Sequence, residues 1–240
     1  MWRLWTLVAL SSLSGLAQRV EFPKPNYCFG FLHAVPNRPV LPSEEAMRIQ
    51  RDHMAHLGAL ASKRWLVGAG PILTPGSVRG ILISRCQSVE EADKLASADP
   101  AVKAGRLFAE NRLWSGPEGI GDRYWKEKAE NPQAKDRMLK HAVVLLRQSA
   151  NWSGWPGKEV VSAHLARVEH LKSTGKLLAF GPFTEGGDWL SLFLFDGVGV
   201  EEARQLGEQD PMVAGGHARV ETYEWMATEG TFPKPPAEAK

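Results

Sequence analysis

His164 lies in the run VSAHLARVEHLKSTGKLLAFGP, residues 161–182, and Asp210 stands directly before Pro211. Shifted by 111 residues, the same run falls on QRDHMAHLGALASKRWLVGAGP, residues 50–71. His164 then meets His53, Gly181-Pro182 meets Gly70-Pro71, and Asp210-Pro211 meets Asp99-Pro100, in a register that reads without a gap. A carboxylate that accepts a hydrogen bond from one imidazole nitrogen fixes the tautomer and raises the basicity of the other nitrogen. Such a pair is a general base suited to neutral pH. The chemistry it favours is removal of a proton from carbon beside a carbonyl or a ring, leading to isomerisation or elimination. The catalytic candidates are therefore His53 with Asp99 and His164 with Asp210.

These residues need helices to carry the histidines and a corner to present the aspartates. His164 is three, four and seven residues from Val161, Val168 and Leu171, so it shares their apolar helix face. His53 stands likewise with Leu57 and Leu60, on a helix whose apolar positions also include Met47 and Met54. Asp99 and Asp210 close acidic second helices, SVEEADKLASA and VEEARQLGE, which must stop there because proline disfavours a helical residue before it. The competing reading is structural: a His on an apolar face is commonly a satisfied core residue, and Asp-Pro is a common helix stop.

Strand signals complete each half. Tyr27–Ala34, Trp65–Ala69, Val78–Arg85 and Leu107–Trp114 are apolar runs bounded by Gly and Pro. Leu139–Leu146, Lys176–Phe180, Trp189–Phe195 and Ala218–Met226 repeat them. The order βαββαβ, written twice, predicts an α+β fold of two ferredoxin-like modules, residues 25–115 and 138–230, joined by a linker over 116–137. Each module exposes one bare sheet face. The simplest cover is the other module, giving an intramolecular pseudo-dimer of the dimeric α/β-barrel type. First and third strands are antiparallel neighbours in such a sheet, which places Cys28 near Cys86, close enough for a disulfide that the sequence leaves open.

Composition bounds the rest. With 43% hydrophobic and 23% charged residues the chain of 240 is ordinary globular material. A formal net charge of +2 without a dense basic block argues against nucleic acid as a partner. Residues 1–17, with Arg3, an apolar run from Leu4 and small residues at Gly15 and Ala17, have the layout of an export signal. The expected location is periplasmic or extracellular, with no membrane attachment after cleavage. The tail over 231–240 is rich in Pro and Ala and is expected to be disordered. No HExxH, CxxC, GxGxxG, P-loop or GxSxG occurs, so neither a metal nor a cofactor is expected and the partner is a small-molecule ligand. His33, His56, His141, His170 and His217 have no histidine counterpart, and Arg79, Asp188 and Trp189 are placed where they would rim a pocket.

The second half's AHLARVEHLKSTGKLLAFGP, together with the first half's GAGP and SVEEADKLASADPAVKAG, resembles the YCII-related family across both halves. The resemblance implies a ferredoxin-like fold of the dimeric α/β-barrel type and a His/Asp site, carried here by His53 with Asp99 and His164 with Asp210. It also implies cofactor-free chemistry on small ring compounds, such as elimination of a halide, for some members. The function expected is a lyase or isomerase acting on a small organic acid or ring compound; the alternative is a non-catalytic ligand-binding or accessory protein. The molecule would be a monomeric pseudo-dimer or a homodimer.

Overall fold

The computed structural model describes residues 23–184 and 187–233. The export-like leader and the tail from residue 234 lie outside them. The elements run β1 Tyr27–Ala34, α1 Ser43–Ser62, β2 Leu66–Pro71, β3 Val78–Ser84, α2 Val89–Ser97, α3 Pro100–Lys103 and β4 Leu107–Trp114. After α4, Asp122–Glu130, the order recurs as β5 Met138–Gln148, α5 Lys158–Ser173, β6 Leu177–Pro182, β7 Trp189–Asp196, α6 Val200–Glu208, α7 Pro211–Ala214 and β8 Ala218–Thr228. Two antiparallel sheets result, ordered β2-β3-β1-β4 and β6-β7-β5-β8. No described helix is long and apolar enough to cross a membrane.

Strand alternation decides which side chains meet. Tyr27, Phe29 and Phe31 leave β1 on one face and join Ile81, Ile83 and Trp114 in a core shared with Val143, Leu145, Leu192, Leu194 and Trp225 of the other sheet. The modules therefore cover each other's bare faces, as the duplication predicts. Burying each such side chain stabilises the pairing by about 1.5–3 kcal/mol.

Two seams close the pair into a barrel. At one, the Ser115 amide donates to the Pro182 carbonyl (3.0 Å), the Thr184 amide to Leu113 (3.2 Å), and the Trp114 indole to the Gly181 carbonyl (3.1 Å). At the other, the Leu73 amide donates to Glu224 (2.8 Å) and the Trp225 indole to the Gly70 carbonyl (3.1 Å). Both tryptophans are fully buried. The shared Gly-Pro motif and the shared Trp are thus the two sides of one joint, used twice.

Several expectations need correction. The register between modules is not free of gaps: Trp114 pairs with Tyr27, whereas Trp225 pairs with His141, so the first strand is displaced by three residues. Cys28 consequently corresponds to Ala142, and His33 to Arg147, not to the residues a uniform shift selects. On α1, Met47 and Met54 are exposed; the buried face is Ile49 and His53, with His56, Leu57 and Leu60 partly covered. The linker over 116–137 is not plain connecting chain: it contains α4 and is anchored by Ile120, which is fully buried. A tail beginning at Thr231 starts too early, since Thr231 and Phe232 are buried and the Phe232 ring lies 5.9 Å from Trp225.

Cys28 and Cys86 form a disulfide, with Cα atoms 5.7 Å apart. It joins the start of β1 to the chain just beyond β3, as the strand order requires. Closing a loop of 58 residues removes unfolded-state entropy worth about 4 kcal/mol in the chain-entropy picture.

Candidate functional site

Each helical histidine meets its expected aspartate. His53 Nδ1 lies 2.7 Å from Asp99 Oδ2, and His164 Nδ1 lies 2.8 Å from Asp210 Oδ2. The histidines are each 8% exposed, while Asp99 and Asp210 are 2% and 1% exposed. Helical spacing delivers the histidines: Ile49 and His53 are the buried residues of α1, and Val161, His164, Val168 and Leu171 those of α5.

The aspartates do more than end a helix. Asp99 is the N-cap of α3, its Oδ1 accepting from the Ala101 amide at 2.7 Å, and Asp210 caps α7 through the Met212 amide at 2.9 Å. Proline at the first helical position suits each cap, because its missing N–H would have had no partner there. Burial pushes the Asp99 carboxyl up, but the His53 bond and the Ala101 amide outweigh it and hold the group below the usual carboxylate range. It is therefore ionised near neutral pH and can only accept. The proton shared with it belongs to Nδ1, so the neutral ring presents its basic lone pair at Nε2. Neither Nε2 bonds to another described residue, and about a tenth of each side chain stays open.

The two dyads do not converge. They lie in separate helix layers, each on the outer face of its own sheet, so any chemistry is done by one pair at a time. Among the described residues no cluster of three or more His, Cys, Asp or Glu is arranged to hold a metal ion.

The three other proposed rim residues go elsewhere. Arg79 is exposed, while Trp189 is buried in the shared core and Asp188 pairs with Arg147 (2.7 Å). The Arg147 and Arg112 guanidiniums lie over the Trp189 ring at 5.2 and 5.4 Å. His56, which has no histidine counterpart in the second module, makes a local packing contact: its Nε2 lies 3.2 Å from the Leu95 carbonyl.

The sequence model of the YCII-related domain matches residues 142–226, which include His164 and Asp210. The uncharacterized protein YjpA of Bacillus subtilis (strain 168) is 31% identical over 70 residues, covering 28% of this chain and 78% of YjpA. The chain belongs to the YCII-related family. Its architecture recurs in solved structures at a level that shows the fold alone. A heme-binding protein from Thermus thermophilus is 13% identical at a TM-score of 0.51, over 86% of this chain and 92% of that one. A chlorite dismutase from Candidatus Nitrospira defluvii is 11% identical at 0.53, over 85% and 91%. This YCII-related chain thus has the dimeric α/β-barrel arrangement with both of its modules in one polypeptide.

Proposed function

We propose that the protein is a cofactor-independent lyase or isomerase acting on a small organic acid or ring compound. Imidazole Nε2 is the general base and Asp99 or Asp210 orients it. The observation that carries this reading is the buried Nδ1–carboxylate bond beside an Nε2 that has no partner among the described residues. In the proposed step a substrate C–H beside a carbonyl or ring gives its proton to Nε2. The electron pair moves into the carbonyl to form an enolate, or forms a double bond as a leaving group such as halide departs. The carboxylate stabilises the imidazolium that results, and return of the proton to a different carbon completes an isomerisation. General-base assistance of this kind is worth about 10²–10⁴-fold in rate.

The test is a small-molecule turnover screen on the full chain, with His53→Asn and His164→Asn compared for turnover and melting temperature. The expected result is a loss of at least ~100-fold in turnover in one or both variants, with melting within a few degrees of the parent. Variants that lose only stability, with no turnover found in the parent, leave the dyads as structural pairs and favour the non-catalytic ligand-binding alternative.

We also propose that the protein is exported. The Cys28–Cys86 disulfide supports this, because such bonds persist in oxidising compartments. Intact mass of the protein recovered from its host is expected to lack residues 1–17 and to retain the disulfide. A full-length, reduced chain would overturn it.

A further inference from the structure

One end of the shared core is stoppered twice, by the linker after β4 and by the chain after β8. Ile120 of the linker is fully buried, and its amide donates to the Tyr27 hydroxyl at 3.2 Å. The Tyr27 ring in turn lies 6.1 Å from Trp114. After β8, Phe232 takes the corresponding place, its ring 6.3 Å from His141 and 5.9 Å from Trp225. Strand pairing sets His141 opposite Trp225 as it sets Tyr27 opposite Trp114. The same joint thus carries a tyrosine in one module and a histidine in the other.

The two stoppers are tied together. The Gly121 amide donates to the Thr231 carbonyl at 2.7 Å, and the Tyr124 amide to the Gly230 carbonyl at 3.1 Å. Gly230 has a φ of 88°, which favours glycine, and a Cβ there would lie 3.1 Å from the Tyr124 backbone. Residues 229–232 form a short strap across the end of the core. A segment this short, at the end of the last strand, belongs to the part of a fold that opens most readily.

Beneath the strap lies a titratable ring. The His141 side chain is 5% exposed, and its Nδ1 lies 3.3 Å from Asp196 Oδ1, too poorly aimed for a full hydrogen bond. Asp196, from β7, is itself 52% exposed. Charged groups on the other elements around the ring are engaged elsewhere: Lys140 with Glu224 (3.1 Å), Glu229 with Arg137 (2.6 Å), and, on α4, Asp122 with Arg85 (2.7 Å) and Arg123 with Glu127 (3.7 Å). Burial pushes the imidazole below its ordinary value, and Asp196 recovers only part of that. Tyr27, pushed up by burial, keeps its proton throughout the acid range.

We propose that residues 229–232 are an acid-released latch: protonation of His141 expels the Phe232 ring and frees the strap, while the Tyr27–Ile120 joint stays shut. The sign follows from linkage. A histidine whose folded value is depressed takes up a proton on opening, so the docked strap weakens as pH falls below about 6.5. For one proton the opening equilibrium rises by up to about tenfold per pH unit, until the folded value is passed. Release bares Trp225 and the end of the shared core.

NMR of the isotope-labelled full chain, from about pH 7.5 to about 4.5, reads the Gly121 and Thr231 amides, the His141 ring and the Trp114 indole. The two amides are expected to shift together with the His141 ring, at one midpoint below about 6.5, with the Trp114 indole unmoved. His141→Tyr, which installs the residue of the matching joint, is expected to abolish the shift of both amides. Phe232→Ala uncovers the ring and is expected to raise the His141 midpoint, because the coupling is reciprocal. Amides that hold their positions throughout, or that move at the same pH in His141→Tyr, would overturn the latch. So would a His141 midpoint that Phe232→Ala leaves unchanged. Asp196→Asn is expected to lower the midpoint; loss of the transition in that variant would assign the titration to Asp196 and sink the proposal.

Discussion

An alanine at Gly181 is expected to cost the protein about 3–5 kcal/mol, and an alanine at Gly70 about the same. A Cβ at Gly181 would lie 2.0 Å from the Ser115 carbonyl oxygen, and one at Gly70 would lie 1.8 Å from that of Met226. Both obstacles are backbone, so no side-chain rotation relieves them. Overpacking at a rigid site costs about 1–3 kcal/mol, occasionally more. Moving the strands apart also loses the Trp114–Gly181 or Trp225–Gly70 hydrogen bond and weakens its neighbours, at about 1 kcal/mol for each bond lost. For a chain of this size the sum corresponds to a fall of about 10 °C in melting temperature. Gly58 provides the control: a Cβ there meets nothing within 4 Å, and alanine in that exposed helical position should be neutral or stabilising by up to about 1 kcal/mol. Thermal melts of the three variants check the prediction, and a Gly181→Ala melt within a degree or two of the parent would refute it. The Gly-Pro motif, which draws the eye beside a possible active-site helix, is then explained by the crossing of two chain segments.

That reassignment shows what was legible in the residues. Elements with a strong local pattern were read with their ends correct: β1 and β4 by dense apolar and aromatic runs, and α6 by its acidic start and helical spacing ahead of Asp210-Pro211. The His/Asp pairing was legible as well, because two signals of different kinds, a His on a buried stripe and Asp before Pro, had to meet once the helices packed side by side. The short helices α3 and α7 were not, since a four-residue helix has too little pattern and Asp-Pro reads equally as an end or a beginning. The three-residue displacement of β5 against β1 was hidden for a different reason. YCFGFLHA and MLKHAVVLLRQ share no marker, so only the partners across the sheet, Trp114 and Trp225, fix their alignment.

The displacement has an energetic consequence that Arg147→Met should reveal. With the first strands aligned by their pairing, His33 and Arg147 are equivalent, and each faces a glutamate from the last strand of its module. His33 Nε2 lies 3.2 Å from Glu110 Oε2, and Arg147 Nε lies 2.8 Å from Glu221 Oε2. Arg147 also lies 2.7 Å from Asp188 and 3.9 Å from Glu110, so one guanidinium serves carboxylates of both modules, with its side chain only 13% exposed. The His33 bond holds the Glu110 carboxyl below its ordinary range, with help from Arg112 and Arg147. Burial pushes Glu221 up, but Arg219 and Arg147 outweigh it and keep that group low too. Removing Arg147 leaves these partly buried charges facing each other, a loss of about 3 kcal/mol by analogy with broken buried pairs. Adding Glu221→Gln should return roughly half of it, because the mutual repulsion goes with the charge. The sign of the pH effect follows. Carboxyls with depressed folded values stabilise the fold at neutral pH and lose that contribution as pH falls through them. The variant has already lost it, so the gap between variant and parent should close as pH drops below about 4. Urea midpoints at neutral and acid pH measure this. An equal gap at both would mean that Arg147 acts through its packing on Trp189 and not through its charge.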